Sequence, residues 1–200
     1  MPAQEIYSEW AKTLAEQLVA SGDAPPAGLS DDERLALAWA LKRRVDTAWS
    51  SDPTLVTRAA LALVGLSAPR DNKSRTPTLT EICAVSFWGD GIAALASGRM
   101  SEAVGCLDDA AACFRLLRDR NNAAQTQVPK IMALAVMGLH EQAAECGHET
   151  QREFLALDDL HAASKVSLNL GNLFAHREAH ESALMHYREA SKLFSSVRDH

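Results

Sequence analysis

A fixed spacing of forty residues runs through the second half of this chain. Phe114-Arg-Leu-Leu-Arg-Asp119, Phe154-Leu-Ala-Leu-Asp-Asp159 and Phe194-Ser-Ser-Val-Arg-Asp199 follow one another at that interval. Ala103, Ala143 and Ala183 keep the same register, as do Gly98, Gly138 and Glu178. Just after the aspartate, Asn122-Ala123-Ala124 matches Ala162-Ala163-Ser164 in kind. A regular period of this length points to stacked copies of one supersecondary unit, each burying its inner face on the next.

The unit is helical. Alanine and leucine dominate, and the period-two Val/Ile/Thr runs of strands are missing. Helices are predicted at about 79–97, 100–117, 122–137, 140–156, 160–176 and 179–195, joined in pairs by short turns that contain Gly98, Gly138 or the stretch His176 to Glu178. Each pair is an αα-hairpin, and the closing aspartate is placed to cap the next helix. Three more helices precede the repeats. The first has an i, i+4 stripe of Ile6, Trp10, Leu14 and Leu18. The second is capped at Ser30 or Asp31, and the third starts at Asp52-Pro53, a capping side chain followed by a proline at the first helical position. The expected organisation is therefore an N-terminal helical segment over 1–66, a linker over 67–78, and three repeats over about 79–118, 119–158 and 159–200. The linker carries Arg70, Lys73 and Arg75 and reads as a solvated loop, with a docking site for an acidic partner as the sharper alternative.

Bulk properties exclude several function classes. A net charge of −6 argues against a general nucleic-acid binder. No apolar run is expected to reach membrane-spanning length; Ala59 to Leu66 is the longest candidate. The N-terminus lacks the basic start and apolar core of a signal peptide. Cys83, Cys106, Cys113 and Cys146 show no CxxC spacing, as expected for reduced cysteines in a cytoplasmic protein.

No catalytic constellation emerges. His176-Arg-Glu-Ala-His180 has the i, i+4 spacing of a zinc helix, but Arg177 stands where a zincin has its glutamate, and the pair straddles a predicted turn. His140, Cys146 and His148 form a second loose cluster without ligand spacing. A phosphate-binding Gly-rich loop and a Gly-x-Ser-x-Gly elbow are both absent. Asp108-Asp109 and Asp158-Asp159 are adjacent in sequence, hence about 100° apart on a helix, and make no facing dyad. The expectation is a non-enzymatic chain with no cofactor and no metal.

The repeats resemble tetratricopeptide repeats. The third copy carries the likeness best, through Leu170-Gly171-Asn172-Leu173-Phe174, Ala183-Leu184, Tyr187 and Ala190. The first matches through Phe87, Gly91, Gly98, Ala103, Leu107 and Ala110. The second keeps Leu134, Gly138 and Ala143 but has Gly147 and Thr150 where an aromatic and an alanine are expected, and the third has Glu178 in place of the turn glycine. The long period and the Leu-Gly-Asn signature resemble a bacterial signalling subclass. Asp52-Pro53-Thr54-Leu55, followed by an alanine-rich helix and then repeats, is similar to the region preceding the protease domain of CHAT (caspase-like) proteins.

These resemblances imply an all-α, αα-hairpin solenoid behind an N-terminal helical segment. They imply a scaffold or sensor module of a larger bacterial signalling protein, with a protein or peptide partner in a groove lined by the first helix of each hairpin. Carried onto this chain, the groove residues are Trp88, Ile92 and Leu95; Gln125, Val128 and Met132; and Lys165, Leu168, Asn169 and Asn172. The alternative is the regulatory N-terminal region of a CHAT-type cysteine protease whose catalytic domain lies outside this sequence. The last helix is expected to show an apolar stripe of Leu184, Tyr187, Leu193 and Phe194, to be covered by further chain of a longer protein or by self-association. Neither nucleic acid nor membrane is expected as a partner.

Overall fold

The structure is a computed structural model that describes residues 3–67 and 76–198, with side chains described over 8–67 and 76–196. Arg70, Lys73, Arg75 and Asp199 lie outside the described residues. Among those that are described, every regular element is a helix. The fold is all-α and of the helical-hairpin solenoid class, with successive helices packed on one another within each of its compact units. It divides into two compact units, Met1–Arg118 and Asp119–His200.

The first unit holds α1 (Ala3–Ser21), α2 (Asp31–Ala48), α3 (Pro53–Leu66), α4 (Pro77–Ala96) and α5 (Met100–Leu116). Local chemistry sets the starts. Ser30 and Glu33 close a reciprocal capping box on α2. Asp52 accepts from the Leu55 N–H at 2.9 Å, with Pro53 at the head of α3. α4 begins at Pro77, two residues before the sequence expectation, because Thr76-Pro77 repeats that device and Thr76 Oγ1 accepts from the Leu79 N–H.

α4 is also long and apolar enough to cross a membrane, contrary to the expectation that no apolar stretch reaches that length. Most of it is buried in this fold against α2, α3 and α5, as befits a core helix. Phe114 is fully buried, with Trp88 edge-on at 6.0 Å between ring centroids and Trp39 at 6.3 Å. Lys42 enters this aromatic cluster. Its ammonium sits 3.7 Å from the Trp88 ring centroid and 2.5 Å from Asp46 Oδ1. Burial lowers its pKa, and the Asp46 carboxylate opposes that shift.

The second unit holds α6 (Arg120–Val136), α7 (His140–Ala156), α8 (Leu160–His176) and α9 (His180–Arg198). Asp119 and Asp159 accept from the N–H groups of Asn122 and Ala162, as the repeat register predicts. Both hairpin turns close in the same way. The Leu139 N–H bonds to the Leu134 carbonyl and the Ala179 N–H to the Phe174 carbonyl, each across a residue with positive φ. That residue is Gly138 in the first turn (φ 77°) and Glu178 in the second (φ 59°). A left-handed conformation costs a side-chain-bearing residue about 1–2 kcal/mol, and glycine returns part of that as entropy of the unfolded chain. Glu178→Gly is therefore expected to stabilise the chain by about 0.5–1 kcal/mol in urea unfolding. A loss of stability would mean that the glutamate makes a compensating contact.

Interhelical packing turns on small residues. A Cβ at Gly171 would overlap the Tyr187 ring, so α8 and α9 come as close as this glycine allows. Ala183 is buried on the facing helix. The second copy reverses the scheme. At the positions of Gly171 and Tyr187 it has Ile131 and Gly147, and a Cβ on Gly147 would stand 2.5 Å from Leu170 Cδ2. The space that an aromatic would take from α7 is taken by Leu170 of α8.

Candidate functional site

The first helices of the two hairpins in the second unit carry matching stripes. On α6 the stripe is Gln125, Val128, Met132 and Val136; on α8 it is Lys165, Leu168, Asn169 and Asn172. The spacing of three and four residues puts each set on one helix face. α6 and α8 touch one another directly. Large apolar groups face solvent here: Met132 is 38% exposed, Val136 63% and Leu168 41%. Gln125 and Val128 are half-buried.

The polar groups on the stripes are free to differ in role. Asn172 is exposed, and its Oδ1 accepts from the Tyr187 hydroxyl at 2.9 Å. That bond orients the amide and leaves its NH₂ to donate elsewhere. Asn169 is half-buried beside it, and Lys165 is exposed one turn earlier. Pro129 lies inside α6 and has no N–H for the Gln125 carbonyl, which releases that acceptor from the helix ladder on the same stripe.

Trp88 and Ile92 hold the matching register in the first unit, but in another environment. Ile92 is buried, and the Trp88 ring is engaged by Phe114 and Lys42. Leu95 is buried as well. Sequence reading missed Val136, although continuing the Val128–Met132 stripe by four residues reaches it, and it missed the acceptor that Pro129 exposes.

Among the described residues no three His, Cys, Asp or Glu side chains come together as a metal-ligand group. His176 ends α8 and His180 begins α9, with Glu178 in the turn between them. His148 of α7 and His186 of α9 do meet, with ring centroids 5.3 Å apart, and His186 stacks on Phe174 of α8. His186 is 2% exposed, and its Nδ1 has no hydrogen-bond partner, standing 3.6 Å from Glu189 Oε2. Burial lowers its pKa, His148 lowers it further, and Glu189 opposes both. The fold therefore favours neutral His186, and between its folded pKa and the ordinary value near 6.5 the unfolded chain binds more protons. Stability is expected to fall as pH drops through that window. His186→Phe should flatten the dependence in unfolding measured from pH 7 to pH 5, and an unchanged slope would assign it to other groups.

Stacked helical hairpins with solvent-facing apolar stripes define a helical-repeat protein. The sequence profile of the soluble NSF attachment protein family, SNAP, matches residues 91–199. That is more than half of the chain, which therefore belongs to this family. The match begins within α4 and does not extend over α1 to α3. No curated protein matches the chain.

Proposed function

We propose that this chain is a scaffold or sensor module of a larger bacterial signalling protein and holds a segment of a protein partner along the first-helix stripes of α6 and α8. The single observation that carries the reading is the solvent-facing set Met132, Val136 and Leu168 beside the amides Asn169 and Asn172. Apolar contact supplies affinity, and amides that both donate and accept suit the backbone of an extended peptide. Lys165 adds preference for a carboxylate. The family is one of helical-repeat interaction scaffolds, and its name records attachment of one protein to another.

The test uses peptides selected from a random display library against the whole chain. Met132→Asp, and separately Asn169→Ala with Asn172→Ala, should each weaken the selected peptides by about tenfold or more, equivalent to about 1.4 kcal/mol. Helicity and melting temperature should barely change. Peptides indifferent to both variants would remove the stripes as the site, and collapse of the fold in the double variant would make the asparagines structural.

A second reading rests on the N-terminal segment, where Asp52-Pro53-Thr54-Leu55 and the alanine-rich helix after it resemble the region preceding a CHAT protease domain and where the family match does not reach. In it the module controls a cysteine protease domain encoded in the same reading frame. Sequencing the native gene beyond codon 200 decides between the two.

A further inference from the structure

A buried imidazole with an unsatisfied nitrogen sits where side chains of α7, α8 and α9 meet. His186 of α9 lies parallel to the Phe174 ring of α8, with centroids 5.2 Å apart, and is closed off from solvent. Its Nδ1 has no hydrogen-bond partner. The His148 ring of α7 stands 5.3 Å away. α9 packs on α8, and through this pair of rings it also reaches α7. The next residue, Tyr187, lies against Gly171 and donates to Asn172 Oδ1 at 2.9 Å. The helix that carries His186 therefore also holds an amide of the α8 stripe.

Glu189, one turn on along α9, has its Oε2 3.6 Å from His186 Nδ1 and accepts from the Ser167 hydroxyl of α8 at 3.5 Å. α7 contributes His148; Glu145 and Arg152, one turn to either side of it, are exposed and opposite in sign. Arg177, just past the end of α8, is paired with Glu141 of α7 at 2.9 Å. One carboxylate can balance one imidazolium. With a proton on each ring, two like charges face one another beside an apolar ring, and Glu189 can offset only one of them. We infer that His148 and His186 are a proton-operated latch: neutral, they let α9 close on its neighbours, and protonated, they drive α9 outward and release Asn172 from Tyr187. Histidine changes charge between about pH 5 and 8, so the latch works within that range. Burial lowers the His186 pKa, with His148 adding to the shift, so opening restores the ordinary value and takes up a proton; acid therefore favours the open form. That the stripe feels the latch rests on the function proposed above; the latch itself does not.

The test is amide hydrogen exchange of the whole chain at pH 7 and pH 5, expressed as protection factors so that the intrinsic pH dependence of exchange divides out. Between the two, α9 should lose about tenfold more protection than α6, the weight of one proton taken up over one pH unit. The side-chain amide signal of Asn172 should shift over the same range. Both are read without any peptide, so failure here and failure of the stripe reading are separable. His148→Gln, at an exposed position, should cut the α9 loss to about threefold or less by deleting the second charge. Glu189→Gln should enlarge it by deleting the counter-charge. A loss spread evenly over α6 to α9, an Asn172 signal that does not move, or a loss in either variant equal to that of the parent overturns the latch.

Discussion

Phe154→Ala is expected to destabilise the second unit by about 3–5 kcal/mol, the range for emptying a fully buried phenylalanine site. Phe154 has no exposed surface, and α7 packs on α6 and on α8. The cavity thus opens in a part of the fold held from two sides, where collapse is limited. Phe194 is the control. It occupies the same repeat position forty residues later but is only half-buried, with the ring of His161 edge-on at 5.8 Å. Phe194→Ala should cost less than half as much, since less apolar surface leaves water there. Chemical denaturation followed by helix content, with amide exchange in α6 to α8 to locate the loss, reads both. Equal costs at the two positions would show that the repeat register, and not tertiary coverage, sets the energetics.

The second large effect is a size exchange between α7 and α8. Gly147→Leu forces a side chain into space that Leu170 holds, and Leu170 is itself fully buried. Overpacking of this kind costs about 1–3 kcal/mol, partly offset by about 1 kcal/mol of helix propensity when glycine leaves a helix interior. Leu170→Ala alone should cost about 2–5 kcal/mol. The double variant moves the large residue from α8 to α7 within the same shared space. It should therefore be more stable than the sum of the single losses by at least about 1 kcal/mol. Additive losses in a double-mutant cycle would break the claim that the two positions share one space.

The same pair shows where sequence reading reached its end. The forty-residue spacing, the caps at Asp119 and Asp159 and the glycine turns were all legible, because each is decided by residues within one helical turn of the feature. Gly147 looked like a departure from the repeat, since its meaning lies in Leu170, twenty-three residues away. Trp88 and Ile92 shared the register of the stripe on α6 and α8, yet α2 lies against their helix and brings Lys42 onto the indole. Nothing periodic encodes that contact. Glu178 was legible as an exception, and its conformation shows that the turn keeps its geometry without glycine.

By itself the sequence determined the helices, their ends, their pairing into hairpins and the all-α class, because helix periodicity, capping and turn chemistry act over three to four residues. Only the tertiary structure decided which of the equivalent faces remain open. Coverage depends on the neighbouring helix: the stripe bearing Ile92 is buried, and that bearing Met132 and Val136 meets solvent. Burial is a property of the partner surface, and a repeat unit carries no record of whether its neighbour is there.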